Sequence, residues 1–218
     1  MAISGAVPVG EEIADALIEK LVPRIEKLKV GPYTAGDDVD YGPVVTKAAM
    51  ENIRRLVQTG IDQGAELVVD GRDFALQGYE DGFFVGPHLF DRVTPDMDIY
   101  RTEIFGPVLS TVRAGSYEEA IGLAMDHEYG NGTAIFTRDG DTARDFANRI
   151  NIGMVGINVP IPVPLAYHTF GGWKKSGFGD LNQHGPDAFR FYTRTKTVTA
   201  RWPSGIKEGG EFNFKAMD

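Results

Sequence analysis

Thr102-Glu103-Ile104-Phe105-Gly106-Pro107-Val108 puts an acid, an aromatic ring and a Gly-Pro corner into one short run, and the apolar residues Leu109 and Val112 follow it. Gly106 permits unusual backbone dihedrals, while Pro107 fixes φ and donates no N–H. Such a corner can hold Glu103 and Phe105 rigidly at the mouth of a strand. A carboxylate there can accept two hydroxyl hydrogen bonds, as from a ribose diol. The neighbouring ring offers a flat apolar face to a heterocycle. The same residues also read as a tight turn with a surface acid and a core Phe, and both readings stand on these residues alone.

Outward from the corner the organisation is clearest downstream. Residues 107–112 read as a strand. Ser116 and Glu119 form an S-x-x-E capping box ahead of a helix striped by Tyr117, Ala120, Ile121 and Ala124. Residues 132–137 form the next strand. Asp141 then caps a helix running to Ile150, with Phe146, Ala147 and Ile150 inward, and residues 153–158 form a third strand. This β-α-β-α-β order predicts parallel strands with right-handed crossovers. Ligands of such sheets bind beyond the carboxyl ends of the strands, which points to Asn158 and the loop at 159–169. Pro160, Pro162 and Pro164 stiffen that loop.

Upstream, residues 11–29 read as an amphipathic helix carrying Ile13, Leu17, Leu21, Ile25 and Leu28, kinked at Pro23 and ended by Gly31-Pro32. Residues 36–41 form an acidic loop without EF-hand spacing, read as solvated rather than metal-binding. Residues 46–64 form a second helix, capped by Thr46 and striped by Met50, Ile53, Val57 and Ile61. A short strand at 66–69 and an extended stretch at 83–93 follow. Beyond Asn158, residues 170–179 carry four glycines with Lys174 and Lys175. Phe178 stands where a phosphate loop requires Lys, and no G-x-G-x-x-G pattern is met, so the loop reads as structural. Residues 191–202, rich in Thr, Val and aromatics, read as a long strand. Neither of its faces is clearly apolar, which suggests pairing at an edge with another chain. A polar tail from Pro203 ends the chain.

Composition narrows the classes. The chain has 218 residues and a formal net charge of -9, with no dense Lys/Arg run of the kind a nucleic-acid binder shows. No apolar segment approaches the roughly 20 residues that span a bilayer, and the apolar start lacks a basic region, so a cytoplasmic protein is expected. There are no cysteines, which excludes disulfides, thiolate metal sites and a Cys nucleophile within these residues. His88, His127, His168 and His184 show no H-E-x-x-H spacing and read as surface or hydrogen-bonded structural residues; no metal site is expected.

Glu103-Ile104-Phe105-Gly106-Pro107 resembles the E-x-F-G-P motif of the NAD(P)-dependent aldehyde dehydrogenase superfamily. Gly82-Phe83-Phe84-Val85-Gly86-Pro87 resembles that family's G-Y-F-x-x-P segment, and Phe170-Gly171-Gly172-Trp173-Lys174-Lys175-Ser176-Gly177 its F-G-G-x-K-x-S-G segment. Ile161-Pro162-Val163-Pro164, the run at 178–182 and the run at 191–199 resemble the CoA-acylating methylmalonate-semialdehyde dehydrogenase branch.

The resemblance implies an α/β fold: the parallel-sheet catalytic domain of an aldehyde dehydrogenase over residues 1–190, and an oligomerisation strand and tail over residues 191–218. No dinucleotide-binding domain is expected within the chain. Glu103 and Phe105 are implied as NAD contacts, at the nicotinamide ribose and beside the nicotinamide. Asn158 is implied at the active-site mouth as a substrate-site residue.

The implied reaction oxidises a small-molecule semialdehyde through a thiol adduct and passes the acyl group to coenzyme A. The family's nucleophilic cysteine would immediately precede Met1-Ala2-Ile3-Ser4. The chain by itself is therefore expected to be inactive and to expose apolar surface. The partners expected are a semialdehyde and further copies of the chain, with no nucleic acid and no membrane. Two other readings are a non-catalytic assembly module of the same fold and a piece of a hydrolytic aldehyde dehydrogenase.

Overall fold

The computed structural model describes residues 5–36 and 38–202. Met1–Ser4, Asp37 and the tail from Pro203 lie outside the described residues. Two compact units are present. One takes in the described residues up to Val163 together with Gly171–Phe178; the other takes Pro164–Phe170 and the described residues from Gly179 onward.

The first unit holds most of the regular structure. Strand β1 (Gly5–Ala6) leads into helix α1 (Glu11–Ile25), a 3-10 turn at Tyr33–Ala35 and helix α2 (Lys47–Asp62). Strands β2 (Glu66–Val69) and β3 (His88–Asp91), the short α3 (Asp98–Arg101), and strand β4 (Val108–Thr111) follow. Helix α4 (Tyr117–Asp126) precedes β5 (Tyr129–Gly130) and β6 (Gly132–Ile135), then α5 (Gly140–Arg149), β7 (Met154–Ile157) and β8 (Trp173–Lys174).

The expected β-α-β-α-β run exists, but its strands do not share one sheet. β1, β4, β3 and β2 form a four-stranded sheet in that order, parallel except for β2 against β3. β6 and β7 form a separate parallel pair, with Gly132 opposite Met154 and Ile135 opposite Ile157. The reason is occupancy: both edges of β4 are taken, by β1 and β3, so no ladder remains there for β6.

β5 and β8 form a further, antiparallel pair. Two apolar clusters match the four-stranded sheet and the β6–β7 pair. Ile53, Leu56 and Val57 of α2 pack with Phe90 and Val108 of the large sheet. Ile121 of α4 and Phe146 of α5 pack with Ile150 and Ile152, and Ile135 and Val155 lie against them. Thr46 caps α2 as expected, accepting from the Ala49 N–H at 3.1 Å. Ser116 caps α4, accepting from the Glu119 N–H at 3.2 Å. Glu119 reaches back past the cap and accepts from the Gly115 N–H at 2.8 Å, so only the Ser116 half of the expected box is made and the return bond lands one residue earlier.

Several expectations are corrected. The cap of α5 is Asp139, which accepts from the Thr142 N–H at 2.7 Å; Asp141 already lies inside the helix, paired with Arg144. The buried alanine of α5 is Ala143, and Ala147 is exposed. Helix α1 ends at Ile25, just past Pro23, before Gly31-Pro32 is reached, and Ile13 on its apolar stripe is exposed.

The strand expected at 191–202 is absent in this chain. In the second unit Phe191 and Tyr192 close helix α6 (Asp187–Tyr192), and residues 193–202 form neither helix nor strand. A strand is defined by its ladder, and no segment among the described residues offers one to this stretch.

Candidate functional site

The corner at 102–108 is fastened at both sides. Ile104 and Gly106 are buried. The Pro107 carbonyl accepts from the His88 N–H at 2.8 Å, and the Gly106 carbonyl accepts from the Val108 N–H at 2.8 Å. The second bond closes a tight turn at the entrance of β4. Phe105 itself takes the left-handed conformation, φ 56°. That conformation, flanked by two buried neighbours, turns the ring outward, so Phe105 is 60% exposed. The core-Phe reading is thus overturned.

The part played by Gly106 is also different from the one expected. It does not need a positive φ; it needs space, because a Cβ there would stand 2.6 Å from Cδ1 of Ile53. A left-handed residue with a side chain costs roughly 1–2 kcal/mol, and such strain gathers at sites where a side chain must be aimed. Glu103, two residues back, is exposed and makes no hydrogen bond or ion pair among the described residues. The corner therefore presents an unengaged carboxylate and an unengaged ring face side by side in sequence.

Asn158 lies elsewhere, at the carboxyl end of β7. It too is left-handed, with φ 57°. Asn tolerates that conformation better than most residues with a side chain. Its N–H donates to the Ile135 carbonyl at 2.8 Å. Its side-chain amide pairs with the backbone of Thr137, accepting from the N–H and donating to the carbonyl, each at 3.0 Å. Asn158 thus prolongs the β6–β7 ladder with its own side chain, and it sets where the exposed apolar residues Val159, Ile161 and Val163 leave the strand. Phe105 precedes its strand and Asn158 follows its own, so the two stand at opposite ends of their ladders.

The glycine-rich loop is structural, as its sequence suggested. The Lys174 ammonium donates to three carbonyls at the end of α4: Ala124 at 3.3 Å, Met125 at 2.6 Å and His127 at 3.0 Å. These are the orphan acceptors at the negative pole of the helix. Desolvation there pulls the Lys174 ammonium below the ordinary lysine value, with the Asp126 charge opposing the shift. Ser176 Oγ accepts from the Gly130 N–H at 3.1 Å, and a Cβ on Gly177 would stand 2.2 Å from the Gly172 carbonyl oxygen.

An ionic cluster that no local spacing announces ties three distant segments together. Asp91, buried in β3, accepts from Thr111 Oγ1 at 2.6 Å, from Arg113 Nη2 at 2.6 Å and from the Arg92 N–H at 2.7 Å. Arg113 also bridges Glu11 and Asp15 in the first turns of α1. Burial pushes the Asp91 carboxyl up, but Arg113, Thr111 and the Arg92 N–H outweigh it and hold it below the usual carboxylate range.

Of the histidines, His127 is a hydrogen-bonded structural residue. Its Nδ1 accepts from the Tyr129 N–H at 3.2 Å, which leaves Nε2 to donate to the Tyr100 carbonyl at 3.0 Å. His88 departs from the expected pattern: it is 1% exposed and neither ring nitrogen has a hydrogen-bond partner. The described residues contain no cluster of three metal-ligating side chains and no helix long and apolar enough to cross a membrane.

A parallel-stranded α/β domain whose strand β4 is entered through an aimed ring and a free carboxylate defines the class. The chain belongs to the aldehyde dehydrogenase family, whose model matches residues 3–198. A malonate-semialdehyde dehydrogenase of Pseudomonas aeruginosa is 58% identical over the whole chain, which spans 44% of that relative. A structure from Sinorhizobium meliloti, solved with NAD and described as a candidate methylmalonate-semialdehyde dehydrogenase, is 72% identical. It superposes with a TM-score of 0.87 over 94% of this chain and 42% of its own. A methylmalonate-semialdehyde dehydrogenase structure from Oceanimonas doudoroffii is 54% identical, with a TM-score of 0.86 over 93% of this chain and 41% of its own. The chain thus spans less than half the length of these relatives.

Proposed function

We propose that the chain is the C-terminal portion of an NAD-dependent, CoA-acylating methylmalonate- or malonate-semialdehyde dehydrogenase. It supplies the corner that receives the nicotinamide end of NAD. Residues 1–190 act as the catalytic-domain portion and residues 191–218 as the assembly segment. The observation that carries this reading is Phe105, held left-handed and outward beside an unengaged Glu103. The pair fits the group: the carboxylate has both oxygens free for a diol, and the ring face is open to a flat heterocycle. The relatives named for these semialdehydes, and the NAD-complexed structure among them, support the same assignment.

When bound, NAD supplies the hydride acceptor. Glu103 orients the ribose, and Phe105 limits where the ring can lie, so that geometry rather than proton transfer is their contribution. Asn158 holds the substrate-site loop at the end of β7. The 218 residues contain no thiol, so these residues alone do not oxidise an aldehyde through a thioester.

The test is steady-state kinetics of a full-length enzyme carrying this segment, with Glu103→Gln compared with the parent. The expected result is at least a tenfold loss in kcat/KM for NAD, with folding unchanged by circular dichroism. Unchanged NAD kinetics would leave the corner as a turn only.

A further inference from the structure

His88 opens β3 and sits opposite Val108, the first residue of β4 after the corner. Its N–H donates to the Pro107 carbonyl at 2.8 Å, so the backbone of His88 pins the corner to the large sheet. Its ring is 1% exposed, and neither nitrogen has a hydrogen-bond partner. A neutral imidazole carries one donor and one acceptor, and both are unmet here. Buried polar groups are nearly always paired, so an unpaired one bonded through its backbone to a binding corner asks for a reason.

The segment that leads into His88 is packed backbone on backbone. A Cβ on Gly71 would stand 2.5 Å from the Gly86 carbonyl carbon and 2.6 Å from the Pro87 oxygen. The turn after β2 therefore lies directly on Gly86-Pro87. That turn carries Asp70 and Arg72, the charged groups that act on the ring. They are engaged with each other at 2.6 Å, and Arg72 also donates to Gln58. The remaining groups that act on it are the carbonyls of Gly86 and Pro107. Burial holds the imidazole below its ordinary value, and the Arg72 charge helps; Asp70 and the two carbonyls favour the proton.

The Pro107 carbonyl thus has two claimants. With the ring neutral, it serves the His88 N–H. With the ring protonated, it also faces a charged donor, and charge-assisted hydrogen bonds are stronger than neutral ones. Protonation sets the ring against the backbone bond that fixes the corner. Phe105, two residues before Pro107, is left-handed with φ 56°, a conformation that persists only while its surroundings over-determine it.

We propose that His88 is a positioning residue of the corner: neutral, it keeps Glu103 and Phe105 aimed at the nicotinamide end of NAD, and protonated, it releases them. The proposal rests on the reading of that corner as an NAD contact. NAD then prefers the neutral form, so its affinity falls on acidification. By linkage, bound NAD lowers the pH at which His88 takes its proton.

The first test is nuclear magnetic resonance of the nitrogen-15-labelled 218-residue chain. The His88 ring should titrate below about pH 6.5, and the Phe105 and Gly106 amides should move with the same midpoint. In His88→Leu, or in His88→Thr if leucine alters the circular dichroism spectrum, that amide movement should vanish. A ring that stays neutral down to acid unfolding, or corner amides indifferent to its titration, would overturn the proposal.

The second test uses a full-length enzyme carrying this segment. Its dissociation constant for NAD, read by fluorescence, should rise about threefold or more between about pH 8 and about pH 5.5, and that ratio should fall towards one in His88→Leu. A merely structural histidine would change the melting temperature in that variant without moving the ratio. Equal ratios in parent and variant, beside a Glu103→Gln variant that weakens NAD binding, would remove the positioning role and leave the corner standing. A Glu103→Gln variant that binds NAD as the parent does would overturn the corner reading, and with it this role of His88, whatever the amides show.

Discussion

Arg113 and the stretch at 193–202 contain similar residue types and meet opposite fates. Arg113 finds Asp91, Glu11 and Asp15 inside its own chain, and its side chain is only 11% exposed. Residues 193–202 carry Arg194, Lys196, four threonines and Trp202, and every one of them is exposed, Trp202 by 90%. The difference lies in what the rest of the chain offers. A charge met by a buried carboxylate becomes part of a core sheet, whereas a β-prone sequence without a ladder stays irregular whatever its propensity.

The sharpest way to break this contrast is to remove the buried pairing. Arg113→Ala leaves Asp91 buried and charged with its main counter-ion gone, and should destabilise the chain by about 3 kcal/mol. Urea unfolding reads that loss. The pH dependence gives an independent sign. Because the folded Asp91 carboxyl is held low, its contribution is present above the unfolded value of about 3.9 and is lost as pH falls through the folded value. Without Arg113, burial is left with weaker opposition at Asp91, so the acid unfolding midpoint should move to higher pH. An unmoved midpoint would show that the cluster contributes nothing.

His88 should give a smaller and differently shaped effect. It is fully buried, and desolvation holds its imidazole below the ordinary value, opposed by the charge of Asp70. The unfolded chain takes up a proton as pH falls below about 6.5, while the folded chain does not until lower pH. Stability should therefore decline on acidification below about 6.5, with a slope of at most about 1.4 kcal/mol per pH unit from this residue. His88→Leu should flatten that slope between about pH 5 and 7 in a urea series. A slope that survives the substitution would move the cause elsewhere.

Much of this molecule was legible because its signals are local. The Ser116 cap, the Thr46 cap and the apolar stripe of Ile53 and Val57 each depend on residues within a turn or two. The E-x-F-G-P corner was visible as a motif, yet its working was not. The residues alone suggested that the glycine supplied the unusual dihedral, whereas Phe105 takes it and Gly106 makes room for Ile53. Sheet membership was illegible because it depends on which edges are already filled, and β1, only two residues long, occupies the edge of β4. The cluster of Asp91, Arg113 and Glu11 was hidden for the same reason: its members lie 22 and 102 positions apart. Lys174 is legible in the sequence as part of a motif and of a glycine-rich loop, but its bonds are not, because nothing in its neighbourhood names the carbonyls of α4.

The smallest expected effect tests the other side of the contrast. A chain ending after Tyr192 loses only exposed residues among those described, with no strand ladder to break. Such surface deletions fall within about 0.5 kcal/mol, so the unfolding curve should barely move. Assembly should respond differently. A stretch in which Thr alternates with Arg194, Lys196 and Val198, exposed and outside any ladder, suits an edge supplied by another copy, where backbone hydrogen bonds give affinity and alternate side chains give register. In a full-length enzyme the same truncation should lower the oligomeric state on a sizing column while leaving monomer stability unchanged. A loss of more than about 1 kcal/mol in the isolated chain would mean that the segment helps to hold the fold together after all. An unchanged sizing profile would remove the assembly role.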